Sequence, residues 1–391
     1  MPAMRVALVH DWLTGMRGGE KVLDAFLEVF PAADVFTLVH AKGSVSPRIE
    51  GRPIRTSFLQ RLPFSPKRFR IYLPLFPIAV ESFDLSGYDL AISTSHCVAK
   101  GILPPPGTRH LCYCFTPMRY VWDQRALYLG RGGWRPLSPL TGALSHYLRL
   151  WDASSAARVH KFTAISRHVA SRIRNFYGRD ADVLYPPVDD AFYVPDSTVS
   201  PGDHYLVVSA LAPYKRVEDA VRACRSLGRT LRIIGTGAEE KRLRRLAGHG
   251  VEFLGWRDNE TLKREYAACR ALLFPGEEDF GIVPLEAMAC GRPVIAYGRG
   301  GVRETVAAFG DPEPPTGVLY AEPGPESLEQ AIRAFEAAGG AFSAESCRAR
   351  AVRFGRARFL VEIRQMVERF LAEGAPAVIG FPVPSTLDFR P

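Results

Sequence analysis

Two rounds of alternating strand and helix patterns, separated by a proline-rich connector, constrain the fold of this chain more than any other feature. In the first round, apolar β-rich runs alternate with helical patterns; the runs cover residues 5–9, 35–39, 89–94, 110–115 and 161–166. The second round repeats this order over residues 204–296. Strands that alternate with helices form parallel sheets with right-handed crossovers. The pattern therefore predicts an α/β protein with two Rossmann-like, doubly wound parallel-sheet domains facing a central cleft.

The connector lies at residues 185–203, where Pro, Asp and Ser replace the apolar runs. A composition change of this kind is typical of a domain boundary. We predict an N-terminal domain over residues 1–195 and a C-terminal domain over residues 196–345. Apolar residues at helical spacing predict one helix over residues 344–372. Its part from 346 to 373 is expected to pack back toward the N-terminal domain, and residues 374–391 to form a loosely held tail.

Composition excludes several classes of protein. Among 391 residues, 47% are hydrophobic and 23% charged, so each half can bury a core and wholesale disorder is excluded. The net charge of +9 favours phosphate-bearing ligands or an anionic membrane surface without indicating DNA binding. Seven cysteines without a C-x-x-C pair are typical of reduced thiols in a cytosolic core. Apolar runs are too short to span a bilayer, so we expect a cytoplasmic protein, at most peripheral on the inner face of the cytoplasmic membrane.

Residues 275–295 are the most informative stretch for function. A strand ends at Phe274, an acidic loop follows, and Pro284 is predicted to open a helix. Backbone amides of residues 281–283 would then lie at a helix N-terminus, where they can bind an anion. Glu278 and Glu286 could each accept hydrogen bonds from sugar hydroxyls. An acidic first turn that complements the helix dipole explains Glu286 but not the acidic loop before it.

In this context, the segment from Glu278 to Glu286 resembles the E-x7-E element of the retaining family 4 glycosyltransferases. Residues 7–22 and 112–123 resemble the bacterial O-antigen and capsule mannosyltransferase-like branch, so the resemblance extends across the chain. It implies the GT-B fold, with an acceptor-binding N-terminal domain and a nucleotide-sugar-binding C-terminal domain. It also implies a nucleotide-sugar donor, retention of anomeric configuration, and no metal or other cofactor.

The resemblance assigns roles within the motif. Glu278 matches the glutamate that contacts the donor sugar, Glu286 the one that holds the ribose, and Lys215 the lysine on the diphosphate. A fixed cation stabilises the negative charge that builds on a leaving diphosphate. A lysine at a helix N-terminus is otherwise electrostatically unfavourable, which favours a ligand role. We therefore predict Glu278 and Lys215 as the catalytic residues.

Further donor-binding residues are predicted around the motif and after strands; they are Gly18, Gly19, Arg216, Gly235, Gly237, Trp256, Phe280, Gly281, Ile282 and Val283. The glycine turns are also typical of ordinary strand-to-helix packing, and Trp256 could equally be a packing residue. Family members commonly carry Arg at the position of Ala210, and Arg216 is the candidate for the missing charge.

The predicted acceptor-binding residues follow strands of the N-terminal domain; they are His10, Asp11, His96, Arg119 and Tyr120. Each histidine taken singly is more typical of a hydrogen-bonded loop residue, and the aromatic residues near Tyr120 are equally typical of a core. Members of the branch often carry His at the position of Phe115, which cannot transfer a proton. In the usual front-face mechanism, the leaving phosphate itself deprotonates the acceptor.

The segment from Arg61 to Phe83 mixes basic, aromatic and proline residues. This composition suits docking on an anionic membrane, where a polyprenyl-linked acceptor would be admitted. A segment that covers the core of the N-terminal domain explains the same composition equally well.

Taken together, the residues and the resemblance predict a metal-independent retaining hexosyltransferase of cell-surface polysaccharide synthesis. Its predicted partners are GDP-mannose and a saccharide or lipid-linked saccharide acceptor. The alternatives are a UDP-sugar donor and, because of Ala210 and Phe115, a non-catalytic homologue that binds nucleotide sugar.

Two other classes fit less well. A dinucleotide-dependent oxidoreductase requires a third glycine after Gly235 and Gly237. A nucleic-acid binder requires more than the short basic cluster at residues 241–245. The D-x-D pattern at residues 180–182 is interpreted as a solvated turn rather than a metal site.

Overall fold

The N-terminal lobe is built on a seven-stranded sheet. The computed structural model describes residues 4–123 and 139–373. All strand pairs in this sheet are parallel, in the order β3-β2-β1-β4-β5-β6-β7. The strands are β1 Val6–His10, β2 Asp34–Thr37, β3 Ile54–Thr56, β4 Leu90–Ser95, β5 Arg109–Cys114, β6 Lys161–Ala164 and β7 Ala181–Val183.

The C-terminal lobe repeats this plan with six parallel strands in the order β10-β9-β8-β11-β12-β13. They are β8 Tyr205–Val208, β9 Leu231–Ile234, β10 Val251–Gly255, β11 Ala271–Phe274, β12 Val294–Tyr297 and β13 Gly317–Tyr320. The predicted fold class is therefore confirmed.

Helices lie between these strands and after the last one. Those of the N-terminal lobe are α1 Gly18–Val29, α2 Pro47–Glu50, α3 Phe76–Glu81, α4 Pro139–Ser155 and α5 Arg167–Tyr177. Those that follow β8 are α6 Val217–Leu227, α7 Glu240–Leu246, α8 Asn259–Ala268, α9 Ile282–Ala289, α10 Val302–Thr305, α11 Pro325–Ala337, α12 Ala344–Val352 and α13 Arg356–Ala372. Short 3-10 helices cover Phe58–Arg61, Phe69–Leu75, Ala99–Gly101, Ala156–Arg158, Pro213–Lys215 and Gly339–Ala341.

Both faces of each sheet are buried, which explains why the strands read as continuous apolar runs. Along β1, Val6 and Leu8 pack into one apolar cluster while Ala7 and Val9 pack into another. Some of the helices begin at polar side-chain caps. Ser166, for example, accepts a hydrogen bond from the amide of Val169 at the start of α5 (3.0 Å).

The predicted single helix over residues 344–372 is wrong in one respect, because the chain breaks between α12 and α13. At the break, the amide of Val188 donates to the carbonyl of Phe354 (2.9 Å). Gly355 lies so close to the linker that a Cβ there would sit 2.7 Å from Asp190 Oδ2. Contact with the linker therefore replaces one turn of helix.

After this break, α13 packs on the N-terminal lobe. The rings of Phe359 and Phe26 meet edge to face at 6.2 Å, and Arg356 pairs with Asp24 of α1 at 2.9 Å. Arg109 of β5 also donates to the carbonyl of Leu371 (2.9 Å). The predicted tail, residues 374–391, lies outside the described residues.

Three smaller expectations have clear outcomes. Helix α9 begins at Ile282 rather than at Pro284, which occupies its first turn. Asp182 lies in β7 rather than in a solvated turn, and it pairs with Lys161 at 3.0 Å. All seven cysteines are buried and unpaired, as expected. Across residues 4–123 and 139–373, none of the helices has the length and apolar character that a membrane span requires.

Candidate functional site

A cavity of about 370 Å³ lies between the lobes at the carboxyl ends of their strands. His10 ends β1, while His96 and Phe115 directly follow β4 and β5 and line its N-terminal wall. Glu278, in the loop after β11, lines the C-terminal wall. Parallel α/β sheets bind their ligands at this edge, so the fold itself marks the cavity as the candidate site.

Glu278 and Lys215 meet on the C-terminal side of the cavity. Lys215 ends the turn Pro213–Lys215, and its Nζ forms an ion pair with Glu278 Oε1. Gly276 permits this approach, because a Cβ there would lie 3.0 Å from backbone atoms of Lys215. Both side chains are mostly buried, with 15% of Lys215 and 22% of Glu278 exposed. The structure thus brings the two predicted catalytic residues together.

The backbone of Glu278 is fixed from behind by the turn after β12. The amide of Gly301 donates to the carbonyl of Glu278 (2.8 Å). Gly300 approaches so closely that a Cβ would lie 2.1 Å from the same carbonyl oxygen. This packing against two glycines holds the loop in one position.

Glu286 lies in α9 with a buried side chain. It accepts hydrogen bonds from Tyr266 Oη (3.0 Å) and from Lys21 Nζ of the N-terminal lobe (3.2 Å). Burial, followed by the charge of Glu286, raises the pKa of Tyr266 well above its ordinary value, so the phenol remains a donor. The carboxylate predicted to hold the ribose therefore also connects the lobes.

Asp279, next to Glu278, forms the main ion-pair contact across the cleft. Its buried carboxylate accepts from Arg119 Nε and from Arg172 Nη1, both at 2.7 Å. Burial alone would raise the pKa of Asp279, but the two guanidinium groups lower it. Arg119, predicted to bind the acceptor, lines the cavity from within this ion-pair network.

Asp11 does not line the cavity and instead supports His96 from behind. Its fully buried carboxylate accepts the amides of residues 96–99 at 2.7–3.0 Å and contacts His96 Nδ1 at 2.9 Å. Burial alone would raise the pKa of Asp11, but contact with His96 lowers it to about 2. The structure therefore does not favour direct binding of an acceptor by Asp11. The half-buried His96, by contrast, lines the cavity.

His10 is buried at the end of β1, with Nδ1 2.7 Å from Thr94 Oγ1. Burial lowers the pKa of His10 to about 4, so the ring is neutral at pH 7. Its neighbours on this wall are aromatic. Phe115 meets His10 edge to face at 6.4 Å, and Trp12 meets His96 in the same manner at 4.4 Å. Tyr120 also lines the cavity and contacts Cys97 Sγ through its hydroxyl (2.8 Å).

The predicted donor-binding residues divide into two groups. Gly18, Gly19, Phe280, Gly281 and Ile282 line the cavity. Glu286 does not line the cavity, and its carboxylate instead contacts Tyr266 and Lys21. Five others do not line it either; these are Arg216, Gly235, Gly237, Trp256 and Val283.

Local packing or pairing accounts for most of the second group. A Cβ at Gly235 or Gly237 would lie 1.9 or 2.3 Å from a carbonyl oxygen of the neighbouring strand's loop, so close packing requires glycine there. Arg216 pairs with Asp219 at 2.8 Å, and Trp256 is 73% exposed at the end of β10.

Sequence reasoning assigned no role to Lys21, Arg172 or Asp279. Asp279 belongs to the acidic loop that stood out in a basic protein, so a signal for it existed. Lys21 follows the Gly18-Gly19 turn, which was already a candidate. Arg172 follows the predicted strand at residues 161–166, and its position against Asp279 requires the tertiary structure.

Comparison with known proteins defines the class. The chain has the GT-B fold, since it superposes on Anabaena HepE in complex with UDP with a TM-score of 0.70, at 18% identity, over 94% of this chain and 100% of that one. Sucrose-phosphate synthase of Thermosynechococcus elongatus gives a TM-score of 0.71 at 18% identity, over 95% and 100% of the two chains. At these identities the likeness concerns the fold alone.

The sequence identifies the domain more closely. Residues 199–352 match the family model of glycosyl transferases group 1, so the C-terminal lobe is a domain of that family and the predicted resemblance to glycosyltransferases is confirmed. A GDP-mannose-dependent alpha-(1-6)-phosphatidylinositol monomannoside mannosyltransferase of Mycolicibacterium smegmatis is 32% identical over 174 residues, which are 37% of this chain and 46% of the relative. The chain spans no more than about half the length of the curated relatives it matches.

Proposed function

We propose that the protein is a retaining hexosyltransferase that moves mannose from GDP-mannose onto a saccharide or polyprenyl-linked saccharide during synthesis of a cell-surface polysaccharide. The observation that carries this proposal is the ion pair between Lys215 and Glu278 beside the cleft. A nucleotide sugar carries its anionic phosphate and its hydroxyl donors on neighbouring atoms. A cation in contact with a carboxylate matches this arrangement.

In the proposed reaction, the bond between the anomeric carbon and the diphosphate oxygen breaks while the acceptor oxygen bonds to the same face of that carbon. The acceptor proton passes to the departing phosphate oxygen, so no protein base is required. Lys215 stabilises the charge that grows on the diphosphate, and Glu278 orients the sugar through its hydroxyls. We propose that the reaction needs no metal, and this stays a prediction.

The choice of donor rests on two lines of support that point in different directions. Several matched relatives are named as GDP-mannose-dependent mannosyltransferases, which favours GDP-mannose. Anabaena HepE was solved with UDP and with UDP-glucose, which keeps a UDP-sugar as the alternative. A thermal-shift panel of GDP-, UDP- and ADP-sugars tests this, because a bound ligand raises the melting temperature by mass action. A shift with UDP compounds alone would exclude GDP-mannose.

The second candidate function is a non-catalytic homologue, motivated by Ala210 and Phe115. Its test is release of nucleoside diphosphate from the sugar nucleotide that gives the largest thermal shift. We expect measurable release from the wild type and loss of release in Glu278→Ala and Lys215→Ala. Thermal shifts with the donor but no release and no transfer would favour the non-catalytic candidate.

We also propose that the segment from Arg61 to Phe83 docks on an anionic membrane surface. The segment exposes Phe64, Ile71 and Ile78, by 66%, 57% and 55% of their surface. The exposed cations of the same segment are Arg61, Lys67, Arg68 and Arg70. Other parts of the segment cover the core, because the rings of Phe69 and Phe76 stack at 6.0 Å beneath it. Exposed apolar and basic side chains together support membrane binding.

Sedimentation with vesicles that contain anionic lipid tests this docking. Neutralising Arg61, Lys67 and Arg68 should reduce the bound fraction. Neutralising Lys241, Arg244 and Arg245 on α7 should not, because that helix lacks exposed apolar neighbours of the same kind. Equal losses in the two triple variants would mean that net charge alone causes the binding.

A further inference from the structure

Two arginines lie at the acceptor side of the cleft, on segments far apart in the chain. Arg17 lines the cavity directly before α1. Arg70 belongs to the turn Phe69–Leu75, and its guanidinium carbon lies 5.5 Å from the ring centroid of Trp12 and 5.1 Å from that of Phe69. Trp12 also lines the cavity, so one side chain, that of Trp12, connects Arg70 to the cavity.

These guanidinium groups differ from the other cleft cations in their partners. Lys215 pairs with Glu278, and Arg119 pairs with Asp279. Within residues 4–123 and 139–373, neither Arg17 nor Arg70 has a carboxylate oxygen within the 4.0 Å of an ion pair. The carboxylate of Glu20 is nearby, but it accepts the backbone amide of Arg17 (3.0 Å).

The two cations also influence each other. Arg70 is exposed at the surface, yet desolvation by its neighbours lowers the pKa of its guanidinium, and the charge of Arg17 lowers it further. Like charges within electrostatic reach of each other repel, and a bound anion would relieve that repulsion. Guanidinium groups also match the geometry of phosphate oxygens better than any other cationic side chain.

The position of the pair relates the anion to the acceptor rather than to the donor. Trp12 contacts both Arg70, at 5.5 Å from its ring centroid, and His96, whose ring centroid lies 4.4 Å away. Ile71, which follows Arg70, is 57% exposed on the segment proposed to dock on a membrane. A molecule that passed from this surface into the cavity would present in turn an apolar chain, an anion and a sugar.

We propose that Arg17 and Arg70 bind the phosphate of a polyprenyl-phosphate-linked acceptor and so hold its sugar over Trp12, in reach of the transferred hexose. This proposal rests on the proposed function, because it assumes that the cavity accepts a sugar for transfer. It identifies the acceptor as a lipid phosphate. It excludes a neutral glycan chain whose only phosphate lies far from the acceptor hydroxyl.

The test measures binding of farnesyl phosphate, a short isoprenoid phosphate, while the nucleoside diphosphate that gives the largest thermal shift saturates the donor site. We expect farnesol to bind about tenfold or more weakly than farnesyl phosphate, since it lacks the charged acceptor oxygens. Arg17→Ala and Arg70→Ala should each weaken binding of farnesyl phosphate about tenfold or more. Arg70→Lys should restore part of it, because the charge returns without the guanidinium geometry.

Lys42→Ala is the control, since Lys42 is exposed on the N-terminal lobe, lies outside the segment from Arg61 to Phe83 and does not line the cavity. It should bind farnesyl phosphate as the wild type does. Affinity for the nucleoside diphosphate should be unchanged in all variants. An equal loss in Lys42→Ala would point to diffuse charge, and a loss of nucleotide affinity in Arg17→Ala or Arg70→Ala would assign the pair to the donor. Either result overturns the proposal.

Two further outcomes separate the sources of the phosphate and the two proposals. Inorganic phosphate that binds as tightly as farnesyl phosphate, and with the same dependence on Arg70, would identify a free-phosphate site and overturn the lipid assignment. If instead the arginine-dependent binding holds but no nucleotide sugar is turned over, the anion site stands and the proposed function fails.

Discussion

The two walls of the cleft balance their charges in different ways. On the C-terminal wall, Lys215 and Glu278 neutralise each other within one lobe. On the N-terminal side, Arg119 and Arg172 share Asp279 of the opposite lobe, and in the described ranges Arg17 and Arg70 form no ion pair. Arg172 also pairs with Asp123 of its own lobe at 2.6 Å, so the charges on this side are balanced partly by its own carboxylate and partly by the other lobe.

This difference indicates that the charges on the two sides of the cleft have different roles. The pair of Lys215 and Glu278 lies within one lobe, so it can hold its geometry whatever the other lobe does. Pairs that cross the cleft, such as Arg119 with Asp279 and Lys21 with Glu286, depend on closure of the cleft. Arg17 and Arg70 are expected to respond to the charge of the acceptor. Substitutions on each side of the cleft test this contrast between the two walls.

Removing the charge of Asp279 should be the most damaging change. In Asp279→Asn, two largely buried guanidinium groups lose their shared carboxylate, and we expect the free energy of unfolding to fall by about 3–5 kcal/mol. Chemical denaturation measures this. The neighbouring Glu277→Gln, whose side chain is 38% exposed, should change stability by about 0.5 kcal/mol or less. Similar losses in the two variants would mean that the lobes do not depend on each other in this way.

Lys215→Met tests the ion pair of Lys215 and Glu278 on the C-terminal side of the cleft. We expect kcat for sugar transfer or donor hydrolysis to fall about 100- to 1000-fold, because the leaving diphosphate loses its fixed cation. Steady-state assays of nucleoside diphosphate release measure this. Lys241→Met on the exposed face of α7 should retain wild-type kcat. A fall of kcat below about tenfold in Lys215→Met would remove the lysine from the catalytic residues.

The pH dependence of stability should reveal the buried neutral histidine of the N-terminal wall. Burial lowers the pKa of His10 from 6.5 to about 4, so the unfolded chain binds this proton more readily. Its stabilising contribution is present above pH 6.5 and is lost as pH falls to 4, which amounts to about 3 kcal/mol.

Denaturation at several pH values compares His10→Asn with the wild type. The variant should lack this part of the acid sensitivity, whereas His249→Asn, at an exposed position, should keep it. Parallel pH profiles for His10→Asn and the wild type would show that the imidazole of His10 is not held neutral.

The smallest effect is expected where one lobe caps a helix of the other. Glu304 of α10 accepts the amides of Arg167 (2.8 Å) and His168 (3.1 Å) at the start of α5. Glu304→Gln weakens this charged cap, and we expect a loss of about 1 kcal/mol in the free energy of unfolding. Glu368→Gln, on the exposed face of α13, is the control and should leave the free energy of unfolding nearly unchanged. Equal stability of the two variants would mean that the cap does not couple the lobes.

The C-terminal wall was largely predictable because its chemistry is contiguous. Glu278, the glycine after Phe280 and the start of α9 all lie within one strand-to-helix loop, where a motif and a helix N-terminus are visible in the sequence. Five of the residues that fell outside the cavity failed for a local reason. In Gly235 and Gly237, for example, close packing of two loops produces the same pattern as a phosphate-binding turn.

The N-terminal wall was predictable only in outline. The positions after β1, β4 and β5 were correct candidates, since strand ends converge at one edge of a parallel sheet. Asp11 nevertheless points away from the cavity toward four backbone amides. A sequence does not distinguish a carboxylate that faces a ligand from one that anchors a loop, because both follow a strand.

By itself, the sequence determined the two parallel α/β lobes and the motif at residues 275–295, because strand period, helix period and motif spacing are properties of short stretches of chain. Only the tertiary structure decided which charges meet. Lys215 and Glu278 are 63 residues apart, Arg119 and Asp279 are 160 apart, and Lys21 and Glu286 are 265 apart. Such contacts depend on how two separately patterned lobes pack against each other, and local periodicity carries no information about that packing.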